Sequence, residues 1–499
     1  MMPADTCSIQ TAQLRGATAL PITVEVGITA GIPAITIVGC PDPAVLESRL
    51  RVRAALKSCG FTLPRVHITI NLSPAEIRKT GTAYDLPIAL AILASTGQIP
   101  KEGLDRSLFV GELALNGDIA TTRGTVAYAR LAHELGLSLV FGGERGLLPI
   151  EDGLVCPNIS AMKAGVDACR PFAPLRELRR DEPSDAPCDA LDFADVIDQD
   201  VAKRAFLIAA VGGHGLMMVG PPGAGKTMLA KRLPSILPRM DDREINEALL
   251  IHSVAGQDTR GIVSGIRPFR APHHSVSLGG LIGGGRPVMP GEISLAHQGV
   301  LFLDEMPEFA SNVLQSLRQP IEDHEVRLVR VDGVYSFPCK FQLIAASNPC
   351  PCGHLGDPGH ECSCSPARIA AYQARIGGPL MDRIDVVVDV ARPDSQKIIA
   401  GDVGLSSHDM RALLDTALEF KSWREKSGQD VRGRGMGTYA FSLEAQSTFE
   451  TVSERLALGG RAIARVSRVA RSIADLELHE EVSSENVLEA CAFRSREHG

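Results

Sequence analysis

The sequence predicts an α/β protein built on a P-loop core, with a second α/β segment before the core and an all-helical segment after it. Three observations carry that prediction. The apolar run Leu216–Val219 opens directly into Gly220-Pro221-Pro222-Gly223-Ala224-Gly225-Lys226-Thr227, a G-x-x-x-x-G-K-T stretch in a strand–loop–helix setting. Two later apolar runs end in polar side chains, Gly299–Leu303 in Asp304-Glu305 and Phe341–Ser347 in Asn348. Apolar strands of this kind belong to parallel sheets, which bind ligands at their carboxyl ends. Beyond about residue 396 the periodicity is helical throughout.

The totals narrow the classes. A chain of 499 residues holds two to four domains. A net charge of −8 denies it an overall basic footprint for nucleic acid, and 4% aromatic residues disfavour base stacking. No apolar run is long enough for a membrane span, and the first twenty residues lack a secretory pattern, so the expected location is cytoplasmic with no membrane partner. Four of the twelve cysteines cluster, which in such a compartment suggests metal before disulfides.

The first segment, residues 1–170, reads as strands at 24–28, 34–39 and 66–72, helices at 42–58 and from 85, and a strand–turn–strand at 108–119. In the 42–58 helix the apolar face is read as Val45, Leu46, Leu50 and Ala54. Residues 171–189, with Pro171, Pro174, Pro183 and Pro187 among charges, read as a linker.

In the core, 190–395, the glycines let successive backbone N–H groups cradle phosphate oxygens, and the following helix adds its positive end. Lys226 is placed for the β- and γ-phosphates and Thr227 for Mg²⁺. Asp304 is placed to hold the same Mg²⁺ through water, and Glu305 to polarise an attacking water. Asn348 fits a residue that orients that water or senses the γ-phosphate; the alternative is a cap for the turn at Pro349. Residues 325–338 alternate on both sides of Asp332-Gly333, a hairpin signal, with Arg327 and Arg330 either touching DNA phosphates or merely solvated. Residues 277–285 read as a flexible Gly-rich loop. Cys350, Cys352, Cys362 and Cys364 form C-x-C…C-x-C, suited to a structural Zn²⁺, with His354 and His360 as possible substitutes.

In the last segment, 396–499, helices are read at 409–423, 442–456, 461–476 and 484–494. Arg465, Arg468 and Arg471 read as a basic stripe on a solvated face, and 432–437 as a mobile loop.

Two resemblances follow. Lys79-Thr80-Gly81-Thr82-Ala83-Tyr84-Asp85 and Gly111-Glu112, with Arg123-Gly124-Thr125-Val126, resemble the proteolytic domain of Lon. In that alignment Ala83 and Val126 stand where Lon has its serine and lysine, which implies a Lon-like fold without the peptidase chemistry. The P-loop, Asp304-Glu305, Asn348 and Arg383, in that order, resemble the AAA+ ATPases. Arg270-Ala-Pro-His273-His274 and Pro290-Gly-Glu-Ile narrow this to the magnesium-chelatase-like group, and Asn348-Pro-Cys-Pro-Cys with the Lon-like front to the YifB/ComM family. That resemblance implies an AAA+ P-loop NTPase core with an N-terminal Lon-like α/β domain and a C-terminal helical lid. It also implies a hexameric ATPase using ATP and Mg²⁺, with Arg383 reaching a neighbouring subunit and Arg461 sensing nucleotide, although Leu458-Gly459-Gly460-Arg461 departs from the family's motif. ComM members are DNA helicases that drive branch migration during natural transformation, so branched or forked DNA is the expected partner. The alternative is a chelatase-like or chaperone-like ATPase that remodels a protein.

Overall fold

The computed structural model describes residues 7–143, 150, 153–172, 191–357, 359–375, 378–401, 403–427 and 439–494. Most of the expected linker and the 432–437 loop lie outside them.

The first body is an eight-stranded mixed sheet. From one edge its strands are Arg170–Pro171, Gly153–Val155, Ser138–Phe141, Ser107–Val110, Cys7–Arg15, Thr18–Thr29, His67–Ser73 and Ala34–Val38. Helix Asp85–Ser95, buried along nearly its whole length, forms the centre of its core. Helix Pro43–Ser58 starts at Asp42, whose carboxylate accepts from Val45 N at 2.9 Å. Its buried face is Val45, Ser48, Val52, Ala55 and Leu56; Leu46 and Leu50 are exposed, contrary to the sequence reading.

The second body is a five-stranded sheet in the order Phe269–Arg270, Gly299–Leu303, Phe341–Ser347, Leu216–Val219, Val386–Asp389. All neighbours are parallel. Met218, Phe302, Ile344 and Val388 face the P-loop helix Lys226–Ile236 and the C-terminal helices in one apolar cluster. Met217, Leu301, Leu343 and Ala345 face helix Asp242–Ala255 in another.

That second cluster also takes in Ala17, Val126 and Ala127 of the first body, so the two bodies share buried apolar surface. Backbone hydrogen bonds reinforce the joint: Gly124 N to Ser253 O at 2.9 Å and Ala17 N to Ser336 O at 3.1 Å. Val126 N also donates to Ser253 Oγ at 3.3 Å. Gly16 has a φ of +65°, and a Cβ there would stand 2.5 Å from Ser336 O. Only glycine allows that approach.

The 277–285 stretch is more ordered than expected of a loop. Ser277 caps helix Leu278–Ile282, and Gly283–Gly284 pairs with Met289–Pro290. The hairpin is formed by Glu325–Arg330 and Gly333–Pro338.

The basic stripe of helix Gly460–Leu476 is paired within the fold rather than free in solvent, although Arg468 stays about half exposed. Arg465 donates to Met381 O and Ile384 O, each at 3.2 Å, and Arg468 pairs with Asp385 at 2.9 Å. Arg471 is buried beside Asp475, which also pairs with the buried Arg424 at 2.8 Å. Charge periodicity located the arginines; the acceptors of Arg465 and Arg468 come from distant parts of the chain, whereas Arg471 also finds Glu480 O nearby at 2.7 Å. Helix Ser484–Ala492 is capped by Ser483, whose hydroxyl accepts from Asn486 N.

Candidate active site

The P-loop follows Val219 at the carboxyl end of its strand. Gly220 packs against strand Val386–Asp389's continuation, where a Cβ would lie 2.1 Å from Val390 O. Gly223 and Gly225 take φ of +80° and +88°, conformations that L side chains rarely adopt. The helix therefore begins with Lys226 and Thr227 already turned toward neighbouring strand ends.

Lys226 is buried, and its ammonium donates to Gly220 O at 2.6 Å, Pro221 O at 3.0 Å and Asn348 Oδ1 at 3.1 Å. Burial lowers its pKa from the usual lysine value, while the charges of Asp304 and Glu305 oppose that shift. Thr227 Oγ1 donates to Asp304 Oδ2 at 2.6 Å. The structure thus brings Lys226, Thr227, Asp304 and Asn348 together at the carboxyl ends of three adjacent strands.

Glu305 follows at a φ of +49° and ψ of +48°, left-handed for a residue with a side chain. Its backbone N donates to Asp304 Oδ1 at 3.0 Å. Its carboxylate faces His274, with Nδ1 to Oε2 at 3.7 Å. Sequence reasoning did not single out that histidine for a role; the Arg-Ala-Pro-His-His run after an apolar strand start was its only signal.

Arg383 and Arg461 are not part of this cluster. Leu216 lies opposite Val386 and Val219 opposite Asp389, so Arg383 precedes its strand at the end away from the P-loop, with the strand's roughly 10 Å length between them. There it pairs with Glu322. Arg461 pairs with Asp382 at 3.1 Å on the same side. A cleft of about 780 Å³ lies along the sheet face between these ends and includes Asn348, Met381 and Phe493.

An oxygen donor set of a hydroxyl and a carboxylate suits a hard divalent cation, and Thr227 with Asp304 fits Mg²⁺ on that chemistry. The four cysteines converge: Sγ atoms of Cys350, Cys352 and Cys362 lie 3.4–3.7 Å apart, and with Cys364 all fall within 4.8 Å. Tetrahedral thiolates at about 2.3 Å from zinc stand about 3.8 Å from one another, so the cluster can hold a structural Zn²⁺. The Cys352 thiol is lowered to about 5, first by the backbone N–H of His354. His354 and His360 turn instead to Asp357, each at 3.3 Å, which also pairs with Arg392 at 3.2 Å. The knuckle leans on the P-loop: a Cβ on Gly353 would meet Pro222 Cδ at 2.5 Å.

Arg327 pairs with Glu325 at 2.9 Å and is largely exposed. Arg330 extends toward the Gly-rich stretch 277–285, its guanidinium 3.1 Å from where a Gly284 Cβ would stand.

A parallel sheet with a P-loop, an Asp-Glu strand end and an intervening Asn defines a P-loop NTPase of the AAA+ class. The family model for magnesium chelatase subunit ChlI matches residues 192–398, a second ChlI model matches 24–142, and the ChlI C-terminal model matches 404–494. The chain is 38% identical over 497 residues to the uncharacterized protein YifB of Salmonella typhimurium, spanning 98% of this chain and 96% of that protein. It is 36% identical over 490 residues to the competence protein ComM of Haemophilus influenzae, spanning 95% and 94%. The magnesium-chelatase 67 kDa subunit of Heliobacterium mobile is 29% identical over 202 residues, 34% of this chain and 30% of that protein. The chain belongs to the YifB/ComM family of magnesium-chelatase-like AAA+ proteins. Among the described residues, no helix is long and apolar enough to cross a membrane.

Proposed function

We propose that the chain hydrolyses ATP at this site and uses the cycle to move branched or forked DNA, as a cytoplasmic hexameric ring of the branch-migration type acting in natural transformation. The observation that carries the hydrolytic half is the meeting of Lys226, Thr227, Asp304 and Asn348 at one sheet end, with Glu305 beside them. Residues 220–225 cradle the phosphates, and Lys226 exchanges a carbonyl acceptor for a phosphate oxygen. Thr227 and Asp304 would hold Mg²⁺, which when bound would neutralise developing phosphate charge. Glu305 takes the proton of the attacking water, Asn348 orients that water, and ADP and phosphate result.

Arg383, at the opposite sheet end, serves a neighbouring subunit's nucleotide in this reading, and Arg461 senses nucleotide. Residues 1–170 act as a Lon-like docking domain, 171–189 as its linker, 190–395 as the motor with a zinc knuckle, and 396–499 as the helical lid.

The DNA half rests on kinship with a protein named for competence and on the exposed hairpin with Arg327 and Arg330. The test is the ATPase rate with four-way or forked DNA, against single strands, duplex and unfolded protein. Stimulation by branched DNA supports the reading. Stimulation by protein alone would favour the remodelling alternative, and no response to any DNA overturns the DNA half.

A further inference from the structure

We propose that the pocket between helix Pro43–Ser58 and the edge of the eight-stranded sheet docks an acidic peptide of a protein partner, one that carries a bulky apolar residue beside its carboxylates. The inference gives a ligand to the docking role proposed for residues 1–170 and rests on that reading.

The site begins at an edge. Strand Ala34–Val38 is the last of its sheet and pairs with His67–Ser73 on one side only. Helix Pro43–Ser58 packs over these strands through Val45, Val52, Ala55 and Leu56. Residues 61–66 then lead back from the helix to the sheet. The space left between helix, loop and strand starts is about 340 Å³, at the lower end of the range for ligand pockets. Its lining is mostly apolar. Ile35, Phe61 and Ile68, none more than 8% exposed, meet Leu63, Pro33 and Pro64 there.

The charged lining is of one sign. Arg53, Lys57 and Arg65 face the same space, and all three are exposed. Arg49, Arg53 and Lys57 follow one another at four-residue spacing, which sets them about 6 Å apart along one helix face. Residues 43–68 hold five cations against one acid, Glu47, in a chain whose net charge is −8. Arg51 takes up Glu47 at 3.7 Å and the buried Asp85 at 2.6 Å. Among the described residues, Arg53, Lys57 and Arg65 are left without an ion pair. Like charges one turn apart repel, and an anion in the pocket relieves that repulsion.

Charge and shape together select the ligand. Carboxylates answer the three cations, and the apolar lining takes a side chain such as leucine or phenylalanine. A nucleic-acid backbone brings the charge but has nothing to fill apolar space. Base stacking has no platform either. Phe61 is the one aromatic ring in the lining; it is buried, and the Lys163 ammonium lies 4.8 Å from its centroid. Lys163 is held there by donating to Cys59 O at 2.8 Å.

The test is fluorescence anisotropy of the full chain with a labelled peptide, Gly-Ser-Asp-Asp-Asp-Leu-Phe, its carboxyl end free. Binding should be saturable and should weaken as salt is raised. Arg53→Ala/Lys57→Ala/Arg65→Ala should raise Kd about tenfold or more, as should replacing the peptide's aspartates by asparagine or its Leu-Phe by serines. Basal ATPase of the triple variant should match the wild type, which reports an intact fold. An unchanged Kd in the triple variant overturns the pocket assignment and leaves the docking role to another part of residues 1–170. A serine peptide that binds as tightly as the parent overturns the apolar half, and with it the inference. So does oligothymidine that binds more tightly than the peptide and loses its hold in the triple variant, since the pocket would then be a nucleic-acid contact. No saturable binding of any of these peptides below about 1 mM overturns both the pocket and the docking role.

Discussion

Lys226 Nζ and Asn348 Oδ1 lie 3.1 Å apart, joining the P-loop helix to the end of the neighbouring strand. The contact crosses 122 positions of sequence and exists because strands Leu216–Val219 and Phe341–Ser347 are parallel and in register. It places an amide beside the ammonium that would meet the γ-phosphate.

Removing the amide should therefore lower turnover more than binding. Asn348→Ala is expected to reduce kcat by about 10²-fold while KM for ATP stays within a few-fold. Lys226→Ala should abolish nucleotide binding as well. Equal losses in kcat and affinity for Asn348→Ala would show that it only braces Lys226.

Arg383 stands at the sheet end opposite Lys226, and this is testable by mixing. Arg383→Ala and Lys226→Ala chains should each be inactive, with losses of about 10³-fold or more. Combined, they should regain part of the rate, because one supplies the P-loop and the other the arginine. A mixture no more active than its components would place Arg383's role within its own chain, where it pairs with Glu322.

Metal analysis addresses the knuckle. The purified chain should carry about one zinc, and Cys350→Ser/Cys352→Ser should carry none and melt at lower temperature, since structural zinc contributes directly to folding. The same zinc content in both proteins would reject the site.

Arg424 and Asp475 are both 2% exposed and pair at 2.8 Å, with Arg471 sharing the carboxylate at 3.1 Å. Asp475→Ala leaves two buried guanidinium groups without that carboxylate, and unfolding free energy should fall by about 3–5 kcal/mol. Urea denaturation measures it; a change below about 1 kcal/mol would mean that water reaches the vacated site.

Three strands of the core sheet, 216–219, 299–303 and 341–347, were legible because each is an apolar run, and the last two end in side chains too polar to bury alone; Phe269–Arg270 and Val386–Asp389 were not read from the sequence. Asp304, Glu305 and Asn348 marked the carboxyl edge by that change of character. Strand Cys7–Arg15 was not legible, because its mixed polar residues find their partners in Thr18–Thr29 and Ser107–Val110 only after folding. The faces of Leu46 and Leu50 were misread for a related reason. Periodicity finds a helix, but which stripe is buried depends on the sheet it meets. The arginines of helix Gly460–Leu476 show the same limit for charge. Asp382 and Asp385, some eighty positions away, decide that Arg461 and Arg468 are paired. His274 was visible as a residue and silent as a neighbour, since nothing in one strand announces what the adjacent strand carries.

The joint between the two bodies bears on how the protein can be dissected. Ala17, Val126 and Ala127 lie in one apolar cluster with Met240, Ile245, Ala248 and Leu249. A fragment trimmed to begin at Leu191 would bare that surface to water and remove the Ala17 and Gly124 N–H groups that bond Ser336 O and Ser253 O. Such a fragment should be sticky and poorly cooperative in unfolding. A low rate measured on it would describe a wounded fold, not a motor relieved of an accessory. Truncation is the wrong scalpel for this chain, and point substitutions at Gly16 or Val126 are the finer one.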